Sequence, residues 1–266
     1  MIIPIFNRLR DLKSFKPKEF RNTHFIFVND HSTDGSEEYI RENFSESTLL
    51  TPTNKDLFWG GAIDEGIRHI KDNIETFNQV IYFGYMNIDV KINVSGAIAD
   101  RDSKPAIYFM PYRLGTKKCH YGAGENLKKI KFGDSDYLKQ NPIKYIGGFF
   151  CIFPMKFIKE SPSISKSGLH HYHGDYYFSS YFAKKNNLEI LPLNHCELVV
   201  DRTDKKNLNN KSIHWLIRDI RSPYNLKQLI IYLKLCHPDN KFLKAKLLLI
   251  YLAKILLLSS GLFRFK

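Results

Sequence analysis

The feature that most constrains this chain is the alternation of short apolar runs and amphipathic segments over its first 90 residues. Met1–Phe6 is an apolar run closed by Asn7, and Leu9, Leu12 and Phe15 then recur at helical spacing. Thr23–Asn29 is β-branched and aromatic, which predicts a strand, and it runs into the polar turn Asp30-His31-Ser32-Thr33-Asp34-Gly35-Ser36. Ser36-Glu37-Glu38 opens a helix to about Phe44, with acids where the helix dipole favours them. Leu49–Thr51 predicts a third strand, and Lys55–Gly61 a loop. A helix is expected over Ala62–Phe77, with Ile63, Ile67, Ile70 and Ile74 on one face. Gln79–Gly84 predicts a strand leading to Asn87-Ile88-Asp89. The order β-α-β-α-β-α-β predicts a parallel sheet covered by helices. Ligands bind such sheets at the carboxyl ends of the strands. The polar clusters at Asn7, Asp30–Ser32 and Asn87–Asp89 fall there.

Beyond residue 90 the pattern is less regular. Ala106–Met110 predicts a strand, Gly115–Asp136 a loop or hairpin, and Lys144–Phe153 a strand containing Gly147-Gly148. Asp175–Lys185 predicts a helix, Leu188–Leu193 a strand, and from Ser212 onwards the chain is helical and apolar. A length of 266 residues suits one large α/β domain with an extension. A hydrophobic content of 43% excludes global disorder, and no repeat of 20–50 residues points to a solenoid. The net charge of +13 is unevenly spread. Lys205–Lys266 holds 13 basic and two acidic residues, or +11, which leaves +2 for the rest. A near-neutral body with a basic, apolar tail is not a uniformly basic nucleic-acid binder, and the tail suits an anionic surface such as phospholipid. Cys119, Cys151, Cys196 and Cys236 are far apart and form no C-x-x-C pair, so reduced thiols and a cytoplasmic protein are expected. The first residues do not read as a signal peptide, because Arg8, Arg10 and Asp11 follow the apolar run at once.

Several residues carry chemistry, each with a plainer alternative. Asp30 at a strand end can accept from a pyrimidine N3–H or a ribose hydroxyl, or it can close an Asx-turn or cap a helix. In Asn87-Ile88-Asp89 the outer side chains point the same way, and a carboxylate there suits a divalent cation that also takes diphosphate oxygens. Gly60-Gly61 after Phe58-Trp59 lets backbone approach a ligand, or makes a tight loop. His170-His171-Tyr172-His173-Gly174-Asp175 is the densest titratable cluster. Adjacent histidines cannot all face one metal, which argues against structural zinc. Asp175 at a loop-to-helix junction reads as an N-cap or a general base.

Taken together, these stretches resemble a known family. P-I-F-N-R at 4–8, V-N-D-H-S-T-D-G-S at 28–36, W-G-G-A-x-x-x-G-I at 59–67 and N-I-D at 87–89 follow the order and spacing of the family-2 glycosyltransferases. Gly147-Gly148 and H-Y-H-G-D-Y-Y-F-S at 171–179 are similar to bacterial rhamnosyltransferase-like and capsule or O-antigen members. The resemblance covers about residues 2–200. It implies a GT-A fold, α/β with a Rossmann-like nucleotide half (1–90) and an acceptor half (91–205), followed by a helical extension (206–266). It assigns Pro4, Ile5, Phe6, Asn7, Asp30, Trp59, Gly60, Gly61 and Asn87 to the nucleotide-sugar donor. Asp89 and His195 would hold Mn2+ or Mg2+, and Asp175 would be the base of an inverting transfer. Gly147, Gly148, His171 and His173 would face a saccharide acceptor, free or lipid-linked. This sequence departs from the family at Asn87 and Gly174, where acids are usual, and it lacks the Q-x-x-R-W of processive synthases, which implies single additions.

The resemblance therefore implies a hexosyltransferase of surface polysaccharide synthesis that uses a UDP- or dTDP-sugar. Rival readings are a catalytically inactive sugar-nucleotide binder, a GT-A-like nucleotidyltransferase, and a nucleic-acid-binding protein with a basic tail. The last is disfavoured because apolar residues dominate that tail. Leu247–Phe263 is too short and interrupted for a comfortable membrane span. The expectation is an interfacial helix on the inner face of the membrane, with packing against the domain or a second subunit, as in a homodimer, as the alternative.

Overall fold

The computed structural model describes residues 1–20, 22–54, 56–94, 105–110, 112–114, 120–123, 129–131, 142–193, 196–200 and 211–259. The expected alternation is present through the first 90 residues: β1 (Ile2–Ile5), α1 (Leu9–Ser14), β2 (Ile26–Asn29), α2 (Ser36–Asn43), β3 (Thr48–Leu50), α3 (Phe58–Asp72) and β4 (Tyr82–Met86). Three more strands, β6 (Ile107–Phe109), β10 (Phe150–Pro154) and β11 (Ile190–Pro192), complete a seven-stranded sheet in the order β11-β6-β10-β4-β1-β2-β3. β10 is antiparallel to both β4 and β6, and the other pairings are parallel. The result is the mixed, mostly parallel α/β sheet that the resemblance implies.

Alternate residues of each central strand serve opposite faces, as a pleated strand requires. Ile2, Ile26 and Val28 pack in one core with Ile63, Ile67 and Ile70 of α3. Ile3, Ile5 and Phe27 pack in another with Leu12 of α1 and Ile40 of α2. Helices therefore cover both faces, and buried strands of this kind read as continuous apolar runs. α3 lies unusually close to the sheet. A Cβ on Gly66 would stand 2.5 Å from Ile2 Cγ2, so the W-G-G-A-x-x-x-G pattern includes a glycine required for this crossing.

Two sequence expectations are corrected. α3 begins at Phe58 rather than Ala62, so Trp59-Gly60-Gly61 lies inside its first turn. A second sheet, in the order β5 (Val90–Val94), β12 (Cys196–Val200), β7 (Tyr112–Leu114), β8 (His120–Ala123), β9 (Lys129–Lys131), occupies the stretch read as irregular, apart from the β8–β9 hairpin. β5 does alternate, as V-K-I-N-V, but its partner β12 lies about 100 residues away, and local pattern carries no trace of that pairing.

The C-terminal extension folds as α5 (Ile213–Arg218), α6 (Leu226–Cys236) and α7 (Lys241–Ser259), after α4 (Gly174–Lys185). It is not a free tail. Leu229, Tyr232 and Leu233 of α6 are buried in the core that contains α3 and α4, and Leu247, Leu248 and Tyr251 of α7 pack against it. Among the described residues no helix is long and apolar enough to cross a membrane.

His173, just before α4, fastens this extension. Its ring stacks on Tyr232 at 4.9 Å and 17°, and its Nε2 lies 3.3 Å from the Tyr251 hydroxyl. Burial pushes the imidazole down to about 4, against about 6.5 in an unfolded chain. Between these values the unfolded chain binds a proton that the folded chain refuses. The folded state is therefore favoured in full above pH 6.5 and loses stability as pH falls toward 4. The melting temperature should drop on acidification across this window. His173→Asn, which tolerates the positive φ of 67° at this position, should flatten the dependence. Identical pH profiles for the two proteins would contradict this assignment.

Candidate active site

The loops at the carboxyl ends of β1 and β2 are tied to each other by their own side chains. The Asn7 N–H donates to Ser32 Oγ at 3.0 Å, and Asn7 Oδ1 accepts from the Thr33 N–H at 2.8 Å. Asp34 accepts from the Leu9 N–H at 2.9 Å, at the start of α1. Buried Asp30 accepts from the Leu57 and Phe58 N–H groups, each at 3.1 Å. Those donors open α3 and would otherwise lack an intrahelical partner. The helix-capping alternative for Asp30 is thus present, on a helix distant in sequence. Phe58 is held at φ 54°, and Asn7, His31, Asp56 and His173 share that left-handed region. Such backbone costs about 1–3 kcal/mol per residue and persists where surrounding bonds over-determine it, as at binding sites.

Trp59 joins the remaining motifs. Its indole N–H donates to Asn87 Oδ1 at 3.1 Å, and its ring stands edge-on to Tyr85 at 5.1 Å. A Cβ on Gly148 would lie 2.9 Å from Trp59 Cζ2 and 3.2 Å from Asp175 Cβ, and one on Gly174 would lie 3.5 Å from Trp59 Cζ3. Gly60 approaches the chain before α4. Its N–H donates to His170 O at 2.7 Å, and an added Cβ would lie 2.7 Å from Leu169 O. Gly60 and Gly148 thus let the motifs approach one another. Asp175 sits in the first turn of α4, where the helix dipole favours its charge. It accepts from the Gly148 N–H on Oδ2 at 2.7 Å and from the Tyr176 N–H on Oδ1 at 2.8 Å.

His171 lies on the same loop. Its N–H donates to Gln228 Oε1 at 3.1 Å, and Gln228 Nε2 donates to Ile220 O at 2.7 Å, so the extension reaches the loop before α4. Burial, then the Arg221 and Arg8 guanidiniums, push the His171 imidazole down to about 4. His171 Nδ1 is buried and has no hydrogen-bond partner among the described residues. At neutral pH both His171 and His173 are uncharged.

At the end of β4, Asp89 lies 3.7 Å from the Arg8 guanidinium, and Arg8 also bonds Asp11 at 3.2 Å. The amide oxygen of Asn87 is engaged by Trp59. His195 lies outside the described residues. Among the described residues no group of three or more His, Cys, Asp or Glu could hold a metal. A single carboxylate suits a hard cation whose other ligands are diphosphate oxygens and water, rather than a closed all-protein site.

The structure brings together Asn7 with Ser32, Asp30 with the start of α3, and Trp59 with Asn87, Gly148 and Asp175. Sequence reasoning missed Arg8, Gln228 and Tyr251. Arg8 stood in view inside P-I-F-N-R, whereas Gln228 and Tyr251 lie on helices whose docking is non-local. Gly148→Ala tests the convergence directly. Its Cβ would drive apart a locked indole and the Asp175 stem, costing about 1–3 kcal/mol and lowering any turnover at Asp175. An unchanged melting temperature and unchanged activity would contradict this close approach.

No family model matches the chain, and no curated protein matches it. Solved structures do. GalNAc-T7 with UDP, GalNAc and Mn2+ aligns with a TM-score of 0.57 at 10% identity, over 91% of this chain and 48% of that one. The mannosyltransferase PcManGT from Pyrobaculum calidifontis, in complex with GDP-Man and Mn2+, aligns with a TM-score of 0.52 at 13% identity, over 97% of this chain and 71% of that one. The chain spans about half the length of GalNAc-T7. At such identities the likeness is one of architecture, and that architecture is the α/β GT-A fold of glycosyltransferases.

Proposed function

We propose that this chain transfers a sugar from a UDP- or dTDP-sugar to a hydroxyl of a saccharide acceptor, inverting the anomeric centre and adding one sugar at a time. The observation that carries the reading is the Asp175 carboxylate, held by the Gly148 N–H beside the Trp59–Asn87 pair. The GT-A fold, and the UDP or GDP-Man bound by the structural neighbours, support the coarser part of this reading, sugar transfer from a nucleotide donor.

Each Asp30 oxygen accepts one backbone N–H and keeps a second lone pair for a pyrimidine N3–H. The backbone of Pro4–Phe6 and the Asn7 turn would frame the base. Asp175 accepts the acceptor hydroxyl proton as that oxygen forms a bond to the anomeric carbon. The bond from that carbon to the diphosphate oxygen breaks, and its electron pair leaves with the diphosphate. Attack opposite the leaving group inverts the centre. Mn2+ or Mg2+, held by Asp89 and the diphosphate, would stabilise the leaving charge. His171 and His173 are the alternatives as base; His173 is already engaged by Tyr251 and stacked on Tyr232.

Asp30→Ala would also unfasten the start of α3, so Asp175→Asn is the cleaner test. It should lower turnover about 100-fold or more, read as UDP or dTDP release from their sugars, while leaving nucleotide affinity in calorimetry near that of the parent. Full turnover in Asp175→Asn would contradict the assignment.

A lipid-linked acceptor in surface polysaccharide synthesis, met at the inner face of the membrane, is the finer reading. It is supported by the outer face of α7, where Phe242, Leu249 and Leu256 are exposed, and by Lys241, Lys246 and Lys254 on a helix without acids. Changing Phe242, Leu249 and Leu256 together to Glu should abolish co-sedimentation with anionic vesicles and leave nucleotide binding intact. Undiminished sedimentation would contradict docking by this face. A dimer that dissociates in the variant would assign the face to a second copy.

A further inference from the structure

Arg8 has no part in the transfer described so far, yet its guanidinium lies within ion-pair distance of the proposed metal ligand. It follows the strained Asn7 turn, and its backbone N–H donates to Ser36 Oγ at 3.0 Å, which fixes the stem independently of the guanidinium. The guanidinium is half-exposed and shared between Asp11 at 3.2 Å and Asp89 at 3.7 Å. The Asp89 contact is longer than a charge-assisted hydrogen bond, which runs at about 2.7–2.9 Å, so a better acceptor can displace it. The guanidinium fork presents donors that match paired phosphate oxygens. It stands at the carboxyl ends of β1 and β4, between the loop expected to frame the base and the carboxylate expected to hold the cation.

We propose that Arg8 is a diphosphate-binding residue, and that its ion pair with Asp89 is exchanged on donor binding for a contact with the donor's phosphates. In the ligand-free protein Arg8 neutralises Asp89. A cation held by Asp89 would take up that carboxylate's charge and leave the guanidinium, still paired with Asp11, able to turn to a phosphate oxygen rather than compete for Asp89. This rests on the nucleotide-sugar reading above, and it gives the chain a means of neutralising diphosphate where the first acid of the metal motif is Asn87. It also predicts a coupling that a purely structural ion pair would lack. Removing Asp89 relieves Arg8 of one of the two carboxylates that share it, so metal-free affinity for diphosphate should rise while the metal-stimulated part is lost.

The test is calorimetric titration of the full chain with UDP, and with uridine as the phosphate-free control, in Mn2+ or in EDTA. Arg8→Gln should weaken UDP binding about tenfold or more and leave uridine binding unchanged, with Arg8→Lys in between. Arg68→Gln, which removes an exposed charge on α3, should bind UDP like the parent. In EDTA, Asp89→Asn should bind UDP more tightly than the parent, and the double variant with Arg8→Gln should lose that gain. Equal UDP affinity in the parent and Arg8→Gln, where the parent binds UDP, would overturn the role of Arg8 alone. No binding of UDP or uridine by the parent would overturn the UDP-sugar reading, and the proposal with it.

Discussion

The indole of Trp59 is the piece on which the site closes. It reaches from the first turn of α3 to Asn87 at the end of β4, and its ring leaves no room for a side chain at Gly148. Because Gly148 is bare, its N–H can meet Asp175, and because Gly174 is bare, α4 can start against Ile164 and the Leu169 carbonyl. A partly buried indole is best served by a partner for its N–H, and Asn87 supplies one. An acid at position 87, the usual residue of the resembled family, would accept from the indole equally well but would add a charge beside Asp89. In this chain Asn87 serves the scaffold, and the charge is concentrated on Asp89 and its Arg8 partner.

The same economy appears in the C-terminal extension. His173, Tyr232 and Tyr251 form a contact through which α6 and α7 bear on the residue two before Asp175, and Gln228 holds the backbone of His171. The loop before α4 is therefore clamped between α3 on one side and the extension on the other. Left-handed backbone at Phe58 and His173 is sustained by these contacts, with Asp30 holding Phe58 and Tyr232 and Tyr251 holding His173. Positioning of this kind holds the Asp175 carboxylate in one orientation, which the proposed transfer requires of its base.

Much of this was legible in the sequence because it is local. The apolar runs of β1, β2 and β4 end in polar turns, and those turns are where the site forms. The order of the motifs conveyed the GT-A architecture, and the structural neighbours share it. What could not be read depends on distant partners. Asp30 gave no sign that it would hold the start of α3, and Gly60 gave none that it would meet His170 rather than a ligand. The β5–β12 pairing and the burial of α6 likewise link residues far apart in the chain. The apolar excess of the tail was visible, but an apolar helix can serve a core or an outer surface, and α7 packs one face on the core and leaves Phe242, Leu249 and Leu256 exposed on another.

The most direct measurement is a structure of the full chain with UDP and Mn2+ bound. The account predicts the uracil beside Asp30 and the Asn7 turn, the diphosphate between Arg8 and the cation at Asp89, and the terminal phosphate directed toward the space before Asp175. A nucleotide seated away from the ends of β1, β2 and β4, or a diphosphate turned from Asp89 and Asp175, would contradict it.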